Sequence, residues 1–279
     1  MPYKIVHKKN LTPQIFLMEI QAPLVAKKAE PGQFIILRID EKGERVPFTI
    51  ADFDKEKGTV TIIVQAIGKT TKDLSMLSEN DYILDFAGPL GMKTELDGIK
   101  KVCIIGGGLG SAIAYPQAKK LHNMGADVTV ITGFRNKDII ILEEEMKKIS
   151  NNLIITTDDG SNGKKGFVTD CLKELIQKGE KFDKVIAIGP LVMMRAVSSL
   201  TKEYNIPTIV SMNPVMIDGT GMCGGCRVIV DGEVKFACVD GPDFDGHKID
   251  WEQAINRQKM FKSYENESLE HGKCRIGRN

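Results

Sequence analysis

The first third of the chain is a series of short β-type runs separated by turn residues. Over residues 3–97, Val, Ile, Phe and Thr dominate runs such as KIVHKK, IFLMEIQA, QFIILRI and TVTIIVQAI, and turns such as Glu30-Pro31-Gly32 punctuate them. Several short strands at this spacing predict an antiparallel β-barrel. One short helix is predicted within it, over residues 71–77.

The pattern changes after residue 98. The continuous apolar run KVCII at residues 101–105 is typical of a strand that is buried on both faces. The strand-like runs VTVITG, LIITT, KVIAIG and PTIVSM follow, alternating with helical stretches that include DIIILEEEMKKI at residues 138–149. This alternation predicts a parallel α/β sheet with right-handed crossovers, which binds ligands beyond the carboxyl ends of its strands.

Charge and composition exclude several classes of function. The formal net charge is +1, which gives no electrostatic case for binding nucleic acid or an anionic membrane. No apolar run approaches the length of a membrane span, and the first residues lack the apolar stretch of a signal peptide. Three of the six cysteines gather in one loop, which favours cofactor thiolates in a reducing, cytoplasmic compartment over disulfides.

That loop carries the most specific pattern in the chain, D-x4-C-x2-C-x11-C, formed by Asp218, Cys223, Cys226 and Cys238. Plant-type [2Fe–2S] sites use C-x4-C-x2-C…C, so the frame is the same, with a carboxylate at the first ligand position. Thiolates are the soft donors that such clusters prefer. Structural zinc and three unrelated thiols are the alternatives, and Asp218 could also be an ordinary turn former.

Glycine turns mark candidate phosphate sites in the barrel. Gly68 precedes Thr70 and Thr71 where a turn enters the short helix, and the free N–H groups of a helix N-terminus can hold a phosphate. Gly88 and Gly91 form a second turn, GPLG. Turn glycines are common in barrels, so these residues indicate little when taken alone.

The α/β region offers a second set of candidates at its strand ends. A Gly-rich turn that follows a strand and opens a helix suits a dinucleotide pyrophosphate, but here Ser111 occupies the third glycine position of the usual fingerprint. Arg135 stands where an acidic residue is usual, which leaves NADP as an alternative to NAD. The predicted nucleotide-site residues are Gly106, Gly107, Gly108, Gly110, Asp159, Gly189 and Pro190.

The sequence Arg45-Val46-Pro47-Phe48-Thr49 resembles the flavin motif R-P-[YF]-[ST] of the ferredoxin–NADP reductase family. The resemblance implies that Phe48 lies near the isoalloxazine, that Thr49 faces flavin N5, and that Pro47 and Arg45 belong to the FAD site. The chain departs from the motif because Val46 separates Arg45 from Pro47. On a strand, one step reverses the direction of a side chain, so a solvated edge charge is the alternative for Arg45.

The order of the motifs, barrel first, nucleotide sheet second and iron–sulfur loop last, resembles this family nearly to Val239. Within the family it is similar to the electron-transfer subunits of dihydroorotate dehydrogenase. The aspartate at position 218 resembles instead the small subunits of NADH-dependent reduced-ferredoxin:NADP⁺ oxidoreductase, also called sulfide dehydrogenase. The implied domains are an FAD-binding barrel (1–98), an NAD(P)-binding domain (99–212), a [2Fe–2S] subdomain (213–245) and a C-terminal helix and tail (246–279).

The resemblance implies an oxidoreductase subunit with FAD, NAD(H) and a [2Fe–2S] cluster that passes electrons to a larger flavo-iron–sulfur subunit in a bifurcating heterodimer. A dihydroorotate dehydrogenase partner is the alternative. A zinc-stabilised binding module is the alternative from another class. The C-terminal segment, helical over residues 251–269, is expected to pack on the partner or on the cluster loop, with a solvated extension as the other possibility. Cys274 is expected to be a free thiol.

Overall fold

Eight strands form the N-terminal region of the computed structural model, which describes residues 2–260 and 262–271. They are β1 (Tyr3–Asn10), β2 (Ile15–Gln21), β3 (Phe34–Arg38), β4 (Val46–Thr49), β5 (Asp52–Asp54), β6 (Thr59–Gln65), β7 (Tyr82–Ile83) and β8 (Asp85–Leu90). One antiparallel sheet has the order β5-β6-β2-β1-β7, and a second has the order β4-β3-β8. Two short helices, α1 (Pro23–Lys28) and α2 (Lys69–Met76), accompany them. The predicted antiparallel architecture is therefore confirmed, with its strands divided between two sheets.

Alternating apolar residues build one core between these two sheets. Met18 and Ile20 of β2 are buried, and Met18 lies opposite Ile62 of β6. Ile35 and Leu37 of β3, in the other sheet, belong to the same buried cluster. Side chains that alternate along a strand point to opposite faces, so a period of two places these residues together. Burial of each such side chain stabilises the fold by about 1.5–3 kcal/mol.

A parallel α/β sheet follows, as the sequence pattern predicts. Its elements are β9 (Lys101–Gly107), α3 (Gly110–Asn123), β10 (Asp127–Phe134), α4 (Glu143–Lys148), β11 (Asn152–Thr157), α5 (Val168–Gln177), β12 (Lys184–Ile188), α6 (Leu191–Glu203) and β13 (Thr208–Ser211). The strand order is β11-β10-β9-β12-β13. The order reverses between β9 and β12, and ligands of open α/β sheets bind at such a switch point.

The prediction of one continuous helix over residues 138–149 is wrong. The chain forms a 3-10 turn at Lys137–Ile139, continues through Ile140 in an extended conformation, and begins α4 only after Leu142, whose φ is +57°. The reason is tertiary. Ile141 is buried in a cluster with Ile15 of β2, and this contact with the N-terminal region overrides the local helix propensity.

The last part of the chain returns to the parallel sheet. A hairpin of β14 (Arg227–Val230) and β15 (Glu233–Phe236) is followed by β16 (Asp243–Asp245), which pairs antiparallel with β13 at the sheet edge. Two helices, α7 (Trp251–Gln258) and α8 (Lys262–His271), replace the single helix predicted over residues 251–269. Cys274 and most of the polar tail lie outside the described residues. No helix within them has the length and apolar character needed to cross a membrane.

Helix α3 joins the parallel sheet to the N-terminal sheets through two ion pairs. Lys119 contacts both carboxylate oxygens of Asp52, at 2.9 and 2.7 Å. Lys120 contacts Glu30 at 2.7 Å, and this hydrogen bond holds the pKa of Glu30 below its ordinary value. Both pairs are partly exposed, so each contributes little to stability.

A buried polar cluster lies beside these ion pairs, where all parts of the chain meet. Gln117 of α3 donates from Nε2 to the Thr94 hydroxyl, which in turn donates to Asp243 of β16. Asp243 as a residue is partly exposed, but its Oδ1 atom is buried. Neither this atom nor the buried Oε1 of Gln117 has a hydrogen-bond partner. Burial raises the pKa of Asp243 to about 6, while the hydroxyls of Thr94 and Ser211 act in the opposite direction.

Candidate functional site

The predicted flavin strand is β4, which pairs with β3 at the centre of its sheet. Phe48 lies opposite Ile35, Pro47 opposite Ile36 and Thr49 opposite Phe34. The Phe48 side chain also packs against the core of the N-terminal region.

Arg45 lies just outside the strand. Its guanidinium Nε donates to the carbonyl oxygen of Ile217 at 3.3 Å, so Arg45 contacts the cysteine-rich loop.

The turn at Gly68 opens helix α2, as predicted. The Thr71 hydroxyl accepts from the N–H of Gly68 at 2.9 Å and of Ile67 at 3.1 Å, and it closes this turn. Thr70 donates from its hydroxyl to the Glu44 carboxylate at 3.0 Å. The first N–H groups of a helix have no partner within the helix itself, so backbone donors at this turn suit a phosphate.

The prediction of a second turn over Gly88–Gly91 is wrong, because β8 continues to Leu90 and these residues pack closely beside β3. A Cβ on Gly88 would lie 2.6 Å from Cγ2 of Ile35, and one on Gly91 would lie 2.9 Å from the Phe34 ring. Gly91 also has a φ of +76°. Both glycines are therefore required by the protein itself where β8 runs beside β3.

The glycine turn after β9 lies directly beside the end of β12. Gly106 pairs with Ile188, and a Cβ on Gly110 would overlap the backbone carbonyl oxygen of Ile188. A Cβ on Gly189 would lie 3.1 Å from the backbone of Gly107. The predicted residues of this turn and Gly189-Pro190 are thus brought together at the carboxyl edge of the sheet.

Gly108 is the open point of that turn. Its φ is +55°, and no atom lies within 4 Å of the position that a Cβ would take. Ser111, in the third glycine position, has a buried hydroxyl without a hydrogen-bond partner. Bare backbone facing open space at a strand-to-helix turn is the feature that lets a dinucleotide pyrophosphate approach closely. The residues present therefore fit this group.

Asp159 lies at the same edge, after β11, and its carboxylate is engaged within its own turn. It accepts from the hydroxyl of Ser161 at 2.7 Å and from the N–H of Ser161 at 2.9 Å, and these bonds lower the pKa of Asp159. Arg135 is exposed nearby and its carbonyl accepts from the N–H of Asp159.

The four predicted metal ligands form two pairs in one loop. Asp218 accepts from the N–H of Thr220 at 3.0 Å and of Cys223 at 2.8 Å, which lowers the pKa of Asp218. The sulfurs of Cys226 and Cys238 are 3.2 Å apart, and both residues are buried. Burial, and then the hydrogen bond with Cys226, raise the pKa of the Cys238 thiol to about 12.

The three thiols and the carboxylate are groups that can bind an iron–sulfur cluster, although the two pairs of residues lie apart from each other. Within residues 2–260 and 262–271, no three His, Cys, Asp or Glu side chains are grouped closely enough to hold a metal ion. Cys223 is exposed, while Cys226 is buried. A backbone N–H group already approaches one thiol, because that of Gly225 donates to Cys223 Sγ at 3.5 Å. Such N–H contacts to sulfur are typical of cluster loops.

Helix α7 contributes a contact that no sequence motif indicated. Arg257 donates from Nη2 to the carbonyl oxygen of Gly225, between Cys223 and Cys226, at 3.0 Å. The expectation that the C-terminal segment packs on the cluster loop is therefore confirmed for α7. A lone arginine in an amphipathic helix is ordinarily solvated, so no local pattern singles out Arg257.

Comparisons with known proteins agree with this geometry. Residues 213–250 match the family model described as the iron–sulfur cluster binding domain of dihydroorotate dehydrogenase B. The dihydroorotate dehydrogenase B (NAD(+)) electron-transfer subunit homolog of Thermotoga maritima is 45% identical over 267 residues, covering 96% of this chain and 94% of that protein. The electron-transfer subunit of Desulforamulus reducens is 32% identical, covering 89% and 97%.

Solved structures give the same result for the fold. A structure of NADH-dependent reduced ferredoxin-NADP oxidoreductase, reported for flavin-based electron bifurcation, is 44% identical, with a TM-score of 0.91 over 97% of each chain. Phthalate dioxygenase reductase shares the fold alone, at 15% identity and a TM-score of 0.60 over 82% of this chain and 86% of that one. The chain therefore belongs to the family of dihydroorotate dehydrogenase B electron-transfer subunits, oxidoreductase subunits with the fold of ferredoxin–NADP reductases.

Proposed function

We propose that this chain is the electron-transfer subunit of an electron-bifurcating, NADH-dependent ferredoxin:NADP⁺ oxidoreductase. In this role it binds FAD, NAD(H) and a [2Fe–2S] cluster, and it passes electrons to a larger flavo-iron–sulfur subunit with which it forms a heterodimer. The five cysteines within the described residues are all free, which supports a cytoplasmic location.

The observation that carries the proposal is the packing of the cluster loop on the flavin sheet. Cys226 and Cys238 share a buried cluster with Ile36 of β3, and Ile36 lies opposite Pro47 of β4. Neighbouring strands in a sheet are about 4.8 Å apart. The proposed cluster ligands therefore lie one strand from the proposed flavin motif, which is the proximity that transfer of single electrons between two cofactors requires.

Each part of the chain then has a defined task. Phe48 and Thr49 would contact the flavin ring, and the turn at Gly68 would hold its phosphates. The backbone of Gly108 and its neighbours would bind the pyrophosphate of NAD(H) at the sheet edge. Asp218 and the three cysteines of its loop would hold the cluster. When bound, FAD would supply hydride exchange with a nicotinamide, and a [2Fe–2S] cluster would supply one-electron transfer.

Two observations bear on the identity of the partner subunit. The carboxylate of Asp218 at the first ligand position, together with the likeness to the ferredoxin-NADP oxidoreductase structure, supports the bifurcating complex. The names of the relatives support a second candidate, the electron-transfer subunit of NAD-dependent dihydroorotate dehydrogenase in pyrimidine synthesis.

Anaerobic purification of the tagged chain from its native cell separates the two candidates. The measurement is the mass and cofactor content of the protein that copurifies at a one-to-one ratio. We expect a large flavoprotein with [4Fe–4S] clusters of its own. A smaller, iron-free flavin subunit that oxidises dihydroorotate would establish the second candidate instead.

The cofactors are tested on the purified chain itself. We expect FAD, iron and acid-labile sulfide, and bleaching of the flavin spectrum on anaerobic addition of NADH. A variant with Cys226→Ser should lose iron and keep FAD, whereas Cys171→Ala, which changes a buried thiol of helix α5, should keep both. Zinc in place of iron, with no response to NADH, would establish the zinc-stabilised module.

A further inference from the structure

Two arginines from opposite ends of the chain contact the cluster loop in the same way. Arg45 precedes the flavin strand, and Arg257 lies in α7. Arg45 donates to the carbonyl of Ile217 at 3.3 Å, and Arg257 donates to the carbonyl of Gly225 at 3.0 Å. In both cases the accepting residue is the one immediately before a proposed ligand, Asp218 or Cys226.

This placement orients the backbone N–H groups of two proposed ligand residues, Asp218 and Cys226. The peptide bond is planar and trans, so its N–H points opposite to its C=O. Since Arg257 holds the Gly225 carbonyl, the N–H of Cys226 points away from the arginine. Arg45 has the same effect on the N–H of Asp218 through Ile217. Hydrogen bonds from backbone N–H groups to sulfur are one of the factors that set the potential of an iron–sulfur cluster.

Arg257 is held on a rigid element. The carboxylate of Asp250 caps α7 by accepting from the N–H of Gln253 at 3.0 Å, and the Trp251 indole donates to the carbonyl of Gly246 at 3.2 Å. The N–H of Asp250 also donates to Ile229, in the strand that follows Cys226. By contrast, the loop itself contains three glycines with positive φ, which are Gly219, Gly221 and Gly224. A glycine-rich loop is thus fastened to fixed points outside it.

Neither arginine forms an ion pair within the described residues, although Asp250 and Glu252 line the same surface depression as Arg257. In the described part of the chain, no Asp or Glu lies within salt-bridge distance of Arg45 or Arg257. A guanidinium keeps its proton at all physiological pH values. Reduction adds a negative charge to a cluster, so an adjacent fixed positive charge favours the reduced form.

We propose that Arg45 and Arg257 are positioning residues that hold the cluster-binding loop at two carbonyls and raise the reduction potential of its cluster. The inference rests on the proposed cluster site. It assigns to α7, which carries no ligand, a direct influence on electron transfer.

The test compares four variants of the full chain. Arg257→Gln removes charge and contact, Arg257→Lys restores the charge, and Arg45→Gln removes the longer, exposed contact. Lys259→Gln is the control, because it removes an exposed charge at the end of the same helix. The measurements are iron per chain, the rate of iron loss to a chelator, and the midpoint potential from a titration followed by electron paramagnetic resonance.

We expect Arg257→Gln to lower the equilibrium constant for cluster reduction about tenfold, which for one electron is about 59 mV. It should also speed iron loss several-fold. Arg257→Lys should restore the potential more fully than the rate of iron loss, because an ammonium lacks the planar fork of arginine. Arg45→Gln should have a smaller effect, and Lys259→Gln should match the unchanged chain.

Unchanged potential and iron loss in an iron-loaded Arg257→Gln chain would overturn the inference and leave the cluster site intact. If Arg257→Gln and Arg257→Lys both lose the cluster, amide hydrogen exchange of residues 217–226 in the iron-free chains decides. Faster exchange than in the iron-free unchanged chain supports the proposal that the arginines hold the loop, and equal exchange overturns it. If the unchanged chain contains no iron and no labile sulfide, both the proposed cluster site and the proposed role of the two arginines are overturned.

Discussion

The turn at Gly106–Gly110 and the loop at residues 217–226 are both rich in glycine, and they use it in different ways. In the turn, the missing side chain of Gly110 leaves room for the carbonyl of Ile188, and that of Gly106 leaves room for Ser111. In the loop, the nearest atoms to a Cβ on Gly224 or Gly225 are 3.6 Å away or more. The turn is confined by backbone at Gly106 and Gly110. The second half of the loop has space around it, and its first half packs only against side chains, those of Ile36 and Leu90 at Gly219 and that of Val239 at Gly221.

This difference indicates what organises each site. The proposed nucleotide turn has its path dictated by neighbouring backbone. The proposed cluster ligands lie in two separate pairs, and their loop is held by its own hydrogen bonds and by two arginines. A substitution in the turn should therefore reduce folding stability, and a substitution in the loop should reduce cofactor retention.

The largest effect is expected for Gly110→Ala. The new methyl group would overlap the backbone carbonyl of Ile188, which cannot move without displacing β12. We expect the free energy of unfolding, measured by urea titration, to fall by about 3 kcal/mol. Gly108→Ala is the control, because it meets no atom within 4 Å and adds only the cost of a positive φ, about 1 kcal/mol. Equal losses in the two variants would contradict the claim that packing dictates this turn.

A smaller effect is expected for Asp243→Asn, at the return of the chain from the cluster region to the sheet. Folding raises the pKa of Asp243 to about 6, from an ordinary value of 3.8. The folded state therefore binds the proton more tightly, and stability is lost as the pH rises from about 4 to 6. Asparagine abolishes this loss, so the variant should gain about 2 kcal/mol relative to the unchanged chain between pH 4 and pH 7. Urea titrations of both proteins at several pH values measure this difference in the free energy of unfolding. A difference that stays constant with pH would show that folding does not raise the pKa of Asp243.

Asp218→Ala tests the loop, with an expected effect on iron and little on folding. We expect about a tenfold loss of iron affinity, equivalent to about 1.4 kcal/mol, and an unchanged urea midpoint for the iron-free chain. Asp218→Cys should keep the cluster and shift its potential, because a thiolate replaces a harder ligand. Asp240→Ala, which also removes a carboxylate that accepts a backbone N–H, is the control. An unaltered cluster spectrum and iron content in Asp218→Ala would show that the ligand assignment is wrong.

The smallest effect is expected for Lys119→Gln, which breaks the ion pair between α3 and Asp52. Both side chains are partly exposed, so the loss should be about 0.5 kcal/mol and should diminish in high salt. Thermal unfolding at low and high salt measures it. A loss that persists undiminished in high salt would show that packing of the lysine stem, rather than its charge, joins the two regions.

The sequence predicted the parts of the fold that follow from local periodicity. The apolar run at residues 101–105 and its glycine turn identify β9 and the start of α3, because a strand buried on both faces and a strand-to-helix turn each have a distinct pattern. The spacing from Asp218 to Cys238 identified the cluster loop in the same way, since all its proposed ligands lie within one short segment.

Contacts between distant segments could not be predicted in this way. Residues 138–149 have a helical pattern, but Ile141 is drawn into a cluster with Ile15, far away in the sequence. Likewise, nothing near Arg257 or Arg45 in the sequence indicates that each holds a carbonyl of the cluster loop. The burial of the Asp243 carboxylate beside Gln117 depends on the meeting of three regions, which no single segment encodes.

The antiparallel pairing of β16 with β13 has a consequence for how such a chain can be assembled from parts. Ser211 and Asp243 are partners in neighbouring strands, although the whole cluster-binding region lies between them in the sequence. This region is an insertion between two paired strands, and both of its ends lie at the same edge of the sheet. Because the two junctions of this region are neighbours in space, its presence leaves the order of the five parallel strands beside it unchanged.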